Sequence, residues 1–167
     1  MAHNLKIKII DDYLKLEEHI LLKTELESDS FAWYFQKKST KETINKIGYH
    51  FGHNFYIQTD GGVMNSNRFD LIRPIIKKLN VNSLVRVKAN LYPISKQITK
   101  PKPHTDQPFK CKIGIYYVNT NNGYNIIGKN KVESVQNRMV IFNNDLEHFG
   151  TNCTDQQVRI TINFNFH

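Results

Sequence analysis

The 167-residue chain has only two cysteines, Cys111 and Cys153. They could pair at most once, so the disulfide-dense framework of a small secreted domain is excluded and reduced thiols are expected. No apolar run approaches the roughly 18–20 residues that a bilayer crossing needs. The first ten residues alternate lysine with isoleucine rather than forming a signal-peptide core, which points to a soluble, cytoplasmic protein with no membrane partner. Internal repeats, linkers and low-complexity tracts are also missing. Acidic residues are absent from 71–105, where Arg73, Lys77, Lys78, Arg86, Lys88, Lys96, Lys100 and Lys102 together equal the whole net charge of +8. Such a stripe can be an electrostatic footprint for nucleic acid. A plainer cause competes: Asn, Lys and Ile occur 19, 18 and 19 times, a third of the chain, as an AT-rich genome produces with no selection on charge.

With 40% hydrophobic and 11% aromatic residues, the chain is too apolar for a disordered class and long enough for one domain with a core. Residues 6–10 read as a short strand, with Asp11 and Asp12 as helix N-cap candidates. A helix is expected over 13–26, with Leu14, Ile20, Leu21, Leu22 and Leu26 near helical spacing. The aromatic run 31–35 reads as a strand packed in the core, 37–46 is polar, 55–58 is a strand, and Gly61 with Gly62 makes a turn. Ser66 caps a second helix running to Leu79, and Pro74 inside it implies a kink or a helix that begins nearby.

From Ser83 the character changes. Segments 84–92, 110–119, 131–136, 138–143 and 157–166 have the β-branched and aromatic content of strands. Two helices followed by short strands predict a mainly β fold with N-terminal helices, a sandwich or jelly roll with the helices packed on one outer face. In the last strand Val158, Ile160, Ile162, Phe164 and Phe166 alternate with Arg159, Thr161, Asn163 and Asn165. A two-residue period therefore sends one set to the helices and leaves Arg159, Thr161 and Asn163 for an enclosed cavity. On 84–92, Arg86, Lys88, Asn90 and Tyr92 likewise share a face, so some of the basic charge turns inward.

His104 and Asp106 are two residues apart, which in extended chain puts imidazole and carboxylate on one side within reach of a single ion. His148 follows 42 positions later. Two histidines and one carboxylate on one face, with other positions open, form the triad that suits non-haem Fe(II). Eleven residues further on, Arg159 offers a permanent cation with forked donors that can anchor a dicarboxylate.

This pattern resembles the 2-oxoglutarate and Fe(II)-dependent oxygenases, more specifically the prolyl-hydroxylase-like branch and the small oxygenases of marine bacteriophages. The run Asn90, Leu91, Tyr92, Pro93 is similar to that branch's strand before the metal motif. Ile115, Tyr116, Tyr117, Val118 and Asn119 resemble its Ile-Tyr-Tyr-Leu-Asn strand. The resemblance is strongest over 84–166 and implies a double-stranded β-helix, with a single oxygenase domain over 1–167, a helical support region over 1–82 and a jelly-roll core over 83–167. It implies His104, Asp106 and His148 as iron ligands, Arg159 and Tyr117 on the distal carboxylate of 2-oxoglutarate, and Tyr92, Asn90 and Asn163 lining the co-substrate pocket. Fe(II), 2-oxoglutarate and molecular oxygen are the implied cofactors, with ascorbate as reductant. The implied partner is a protein or peptide substrate, hydroxylated on a prolyl side chain, and the location is the host cytoplasm if the protein is phage-encoded. The carboxylate of Asp106 favours hydroxylation, because halogenating relatives lack it. One departure is the usual Gly-Gly pair after Asn119, which here is Gly123 followed by Tyr124.

Other readings stay open at this level. Two histidines and an aspartate also hold zinc, although a hydrolytic site needs no dicarboxylate anchor. A nucleic-acid substrate would suit the basic stripe, but that branch carries a second arginine six residues after the anchor, where this chain has Asn165. A free small-molecule substrate, or a cupin-like binding module with the triad idle, completes the alternatives. His50 and His53 form a second histidine pair with no carboxylate nearby, and core or loop positions are expected for them. Asp145 and Glu147 are candidate supports for His148, and Trp33 a core residue.

Overall fold

The computed structural model describes residues 7–36 and 49–167. The polar segment 37–46, Lys6 and His3 lie outside the described residues. In chain order the elements are β1 (Lys8–Ile10), α1 (Leu16–Leu26), β2 (Tyr34–Gln36), β3 (His50–Thr59), β4 (Gly62–Asn65), a 3-10 turn (Phe69–Ile72), α2 (Arg73–Leu79), β5 (Leu84–Pro93), β6 (Lys112–Tyr117), β7 (Tyr124–Ile127), β8 (Asn130–Glu133), β9 (Arg138–Asn143), β10 (His148–Gly150) and β11 (Val158–Phe166). An eight-stranded antiparallel sheet runs in the order β1-β9-β6-β11-β5-β3-β2, with β4 paired to β3, and a three-stranded sheet runs β10-β7-β8. This is the mainly β jelly roll the pattern predicts. Among the described residues no helix is long and apolar enough to cross a membrane.

Alternation along the central strands separates the two faces of the large sheet. Ile160, Ile162 and Phe164 of β11, Val87 and Ala89 of β5 and Tyr116 of β6 join Leu22 and Leu26 of α1 and Ile75 of α2 in one buried apolar layer. The helices thus cover one outer face. On the opposite face, Ile113, Ile115 and Tyr117 of β6 meet Ile127 of β7, Val132 of β8 and Phe142 of β9, closing the space between the two sheets. The remaining part of that inner face is polar, and the functional site lies there.

Several elements differ from the sequence expectation for identifiable reasons. Helix α1 begins at Leu16, not residue 13, because the backbone of the preceding residues is already committed. Tyr13 N donates to the Asn137 carbonyl at 2.8 Å, Leu14 N to Asn137 Oδ1 at 2.8 Å, and Asn137 Nδ2 to the Leu14 carbonyl at 3.0 Å. Ile20 and Leu21 are exposed, and the buried positions of α1 are His19, Leu22 and Leu26. His19 Nδ1 lies 2.7 Å from the Tyr116 hydroxyl, which in turn donates to Asn137 Oδ1 at 2.9 Å.

The aromatic run 31–35 divides: Phe31 is buried and Trp33 packs against the core, whereas Tyr34 and Phe35 lie on the edge strand β2 and are exposed. Pro74 marks a helix start, since α2 opens at Arg73 after the 3-10 turn. Residue 83 is not a boundary between helices and strands, because β1 to β4 precede it and belong to the same large sheet. His50 and His53 lie on β3 three residues apart, so the pleat sends them to opposite faces and they cannot share an ion. His53 is a satisfied core histidine, donating from Nδ1 to the Ala32 carbonyl at 2.8 Å with Nε2 at 2.8 Å from Ser66 Oγ.

Asn137 closes the helix entrance, bonds to Tyr116 and holds a positive φ of 58°, where asparagine is among the few tolerated side chains. Replacing Asn137 with Ala should lower unfolding stability by about 2–4 kcal/mol through several lost buried hydrogen bonds and backbone strain. Urea denaturation of the variant measures this, and a loss within ~0.5 kcal/mol would contradict the role assigned to Asn137.

Candidate metal and anion site

The pairing of β11 with β5, and of β5 with β3, lays out the inner face as a grid. Arg159 stands beside Tyr92, Thr161 beside Asn90, Asn163 beside Lys88 and Asn165 beside Arg86. On the next strand Gly52 pairs with Asn90. Above this grid is a cavity of about 570 Å³, and Arg159, Thr161, Asn163, Arg86, Lys88, Asn90, Tyr92, His104, Asp106 and His148 all line it. The inward turn of Arg86, Lys88, Asn90 and Tyr92 is as the sequence predicts.

His104 and His148 are brought together by the backbone. They form an isolated antiparallel bridge in which His104 N donates to the His148 carbonyl at 3.1 Å and His148 N to the His104 carbonyl at 2.9 Å. Their rings lie 4.9 Å apart, and Nε2 of each approaches Asp106 Oδ1, at 3.6 Å from His104 and 3.5 Å from His148. The candidate ligand atoms of His104, Asp106 and His148 all lie within 4.8 Å of one another.

The tautomers are set by what the other ring nitrogens face. His104 Nδ1 lies 3.4 Å from the Lys102 carbonyl and His148 Nδ1 3.3 Å from that of Leu146. A carbonyl only accepts, so each Nδ1 carries a proton, and Nε2, facing Asp106, is the nitrogen left to ligate a metal ion. His148 Nε2 is buried without a hydrogen bond among the described residues. Two imidazole lone pairs and one carboxylate converging on a point are the donor set for a divalent ion, and they fit Fe(II) with several positions left open.

Asp106 is held by groups the sequence reading missed. Asn165 Nδ2 donates to its Oδ2 at 2.8 Å, and the Arg86 guanidinium is 3.2 Å from the same oxygen. Asn144 Oδ1 accepts from the backbone N–H of Asp106 at 3.0 Å and of Gln107 at 3.3 Å, while its Nδ2 donates to the carbonyls of Gln107 and Phe109. Burial would raise the Asp106 pKa, but the two imidazoles and Arg86 outweigh it and hold the carboxyl well below the usual range. Asp106 is therefore a full anion at neutral pH. Among the described residues no hydrogen bond or ion pair joins the Asp145 or Glu147 side chain to the triad; the turn residue that supports it is Asn144.

At the other end of the cavity Arg159 is 1% exposed. Its Nε donates to Ser134 Oγ at 2.9 Å and its Nη2 to Asn125 Oδ1 at 2.6 Å. Both partners are neutral, and among the described residues no carboxylate pairs with it. Tyr117 does not line the cavity; it is fully buried behind Arg159, donating to the same Asn125 Oδ1 at 3.1 Å, and its ring lies 5.8 Å from the guanidinium carbon. Tyr92 lines the cavity, with its ring also 5.8 Å from that carbon. His50 stacks on Tyr92 with ring centroids 5.2 Å apart, another cavity residue for which the sequence carries no signal beyond strand alternation.

No family model matches the chain, and no curated protein is significantly similar to it in sequence. Solved structures are similar in shape. A prolyl hydroxylase from Trichoplax adhaerens, in complex with a hypoxia inducible factor peptide fragment, matches 98% of this chain and 84% of its own at 15% identity with a TM-score of 0.66. An oxidoreductase of the 2OG-Fe(II) oxygenase family from Burkholderia pseudomallei matches 96% and 84% at 9% identity, TM-score 0.69. A prolyl-4-hydroxylase from Pseudomonas putida matches 98% and 94% at 13% identity, TM-score 0.63. The chain has the fold of these oxygenases. In that fold the triad and Arg159 occupy the two ends of one polar cavity.

Two outcomes follow. Asn165→Leu removes the amide that orients Asp106, and divalent-metal affinity should fall about 10-fold or more; an unchanged affinity in a Mn(II) titration would show that Asn165 is dispensable. His50 is buried, and burial followed by the nearby Lys88 charge depresses its pKa from 6.5 to about 4. Between those values the unfolded chain takes up a proton that the folded chain refuses, so stability present above pH 6.5 should decline as pH falls toward 4. His50→Gln should flatten this part of the pH profile in urea unfolding, and an unaltered slope would assign it to other groups.

Proposed function

We propose that the chain is a 2-oxoglutarate- and Fe(II)-dependent oxygenase that hydroxylates a side chain of a protein or peptide, with release of succinate and carbon dioxide. The observation that carries this reading is the buried Arg159 guanidinium, without a carboxylate partner among the described residues, at one end of the cavity whose other end holds His104, Asp106 and His148. A buried cation with only neutral hydrogen-bond partners is costly unless an anion arrives to meet it. A dicarboxylate with a 2-oxo group at its far end satisfies both ends of such a cavity. The prolyl character of the substrate is supported by the likeness in fold to two prolyl hydroxylases.

The chain's own residues divide the work. His104, Asp106 and His148 would hold the iron, which when bound supplies the dioxygen activation that couples decarboxylation of the 2-oxo acid to hydroxylation. Arg159 clamps the distal carboxylate of the co-substrate, and Asn125 and Ser134 fix the plane of its fork. Tyr117 fixes Asn125 in turn, and so acts on the anchor through one intermediate residue. Tyr92, Asn90 and Asn163 line the walls. The 94–102 loop forms the rim of the mouth and is tied down by Asn152, whose Oδ1 accepts from Thr99 N at 2.7 Å and whose Nδ2 donates to the Gln97 carbonyl at 3.0 Å. A fixed rim limits water access to the reacting centre.

The test is succinate formation from 2-oxoglutarate with Fe(II), oxygen and ascorbate. The wild-type chain should produce it, and His104→Ala should abolish it. Arg159→Ala should raise the 2-oxoglutarate requirement on the order of 100-fold, the effect of losing one partner of a buried charge-assisted pair, with little change in metal affinity. No succinate from the wild type overturns the reading, and equal losses of co-substrate and metal binding in Arg159→Ala overturn the anchor role.

A further inference from the structure

The large sheet turns three cations into the cavity: Arg159, Arg86 and Lys88. The first two are accounted for. Arg159 awaits the distal carboxylate of the co-substrate on the reading above, and Arg86 is paired with Asp106 at 3.2 Å. Lys88 is half-buried on the same strand, and among the described residues no carboxylate and no hydrogen-bond acceptor meets its ammonium. A lysine that only needed solvent could extend into it. This one is held down on the cavity floor, with its stem crossing Gly52: a Cβ at that position would lie 2.6 Å from Lys88 Cε and 3.3 Å from Nζ. The glycine on β3 is thus the space into which the lysine fits.

A second polar group faces the same region. His50, two residues before Gly52 and on the same face of β3, lines the cavity, is 4% exposed, and has a buried Nδ1 with no hydrogen-bond partner among the described residues. Buried ring nitrogens are normally satisfied. An unmatched ammonium beside an unmatched imidazole makes a donor set for one small anion, away from the Arg159 anchor. With a divalent ion, Asp106, Arg86, a dianionic co-substrate and Arg159, the charges of the catalytic assembly already sum to +1, and the Lys88 cation adds to that excess.

We propose that Lys88, seated over Gly52 beside His50, is the specificity-determining residue of a subsite that takes a carboxylate of the hydroxylated substrate. The proposal rests on the oxygenase reading and names the substrate class: an acidic side chain or terminus on a peptide, or the carboxylate of a free amino acid. One ammonium and one imidazole on an enclosed floor match a single carboxylate better than a phosphodiester chain, which is bound by a succession of exposed cations.

The experiment is a binding comparison with the full chain carrying Mn(II) in place of iron and saturating 2-oxoglutarate, which occupies the Arg159 end. The probes are N-acetyl-glutamate N-methylamide against its glutamine counterpart, and free glutamine against glutaminamide, with an oligothymidylate as a phosphodiester control. A carboxylate probe should bind at least 10-fold tighter than its amide counterpart; whichever of the two pairs shows the preference identifies peptide or free amino acid as the source. Lys88→Gln should reduce the preference to within 2-fold, and Gly52→Ala, which pushes the lysine aside, should weaken it. Lys88→Arg should restore part of it relative to Lys88→Gln.

Equal binding of the acid and amide probes overturns the proposal even if no variant folds. A preference that survives Lys88→Gln lies elsewhere in the cavity and also overturns it, as does tighter binding of the oligothymidylate through Lys88. A rise in the 2-oxoglutarate requirement of Lys88→Gln matching that of Arg159→Ala would assign the lysine to the co-substrate instead. Failure of the oxygenase reading is seen separately, as absence of succinate with Fe(II).

Discussion

The interaction on which the rest of the inner face depends is the burial of the Arg159 guanidinium. Placing a permanent cation at 1% exposure is unfavourable unless its donors are met, and the small sheet is shaped to meet them. Ser134 and Asn125 take two of its nitrogens. Gly123 lies so close that a Cβ there would be 2.5 Å from Arg159 Cδ and 2.6 Å from the Asn152 carbonyl. A side chain at 123 would therefore displace the arginine or the loop that frames it. This explains why one glycine of the Gly-Gly pair suffices: only Gly123 is in the arginine's space, and Tyr124 begins β7 with its ring under Lys131 at 4.8 Å.

The metal end is built by a different device. Instead of packing, it uses backbone pairing: His104 and His148 exchange both N–H bonds, so their separation is fixed by strand geometry and not by side-chain fit. Asp106 hangs from the same segment and is aimed by Asn144 from one side and by Asn165 and Arg86 from the other. The two ends are joined by β11, which carries Arg159 at its start and Asn165 near its finish. A single strand thus sets the span between Arg159 and the cluster of His104, Asp106 and His148, and the apolar residues alternating along β11 lock that span to the helical layer.

Much of this was legible in the chain. The two-residue period of 158–166 separates core from cavity, His104, Asp106 and His148 come within reach of a single ion, and Arg159 lines the same cavity. What was not legible depends on partners distant in sequence. Asn137 stops α1 from starting at residue 13 across a separation of 123 positions, which no local propensity encodes. Strands β7 and β10 are four and three residues long, too short for periodicity to register. Asn144 and Asn165 carry no signal as asparagines in a chain rich in them; only the fold shows that both point at Asp106. Tyr117, which the motif puts on the co-substrate, donates its hydroxyl to Asn125 and is joined to Arg159 through that residue, a link no motif shows.

The basic segment 71–105 changes meaning once its charges are placed on the fold. Arg73 pairs with Asp70, and Lys78 donates to the Tyr13 carbonyl with its ammonium 4.8 Å from the Tyr13 ring. Arg86 serves Asp106 and Lys88 lies on the cavity floor. A nucleic-acid footprint needs cations aligned on one accessible face to displace counterions along a phosphate chain. Here the arginines and lysines of one sequence stripe are divided among a helix end, a helix–loop contact and the cavity interior, because β5 sends alternate residues inward while α2 lies on the opposite face of the sheet. Clustering in sequence is therefore only partly clustering in space: Arg86 and Lys88 face the cavity, whereas Lys96, Lys100 and Lys102 are exposed on the loop that follows β5.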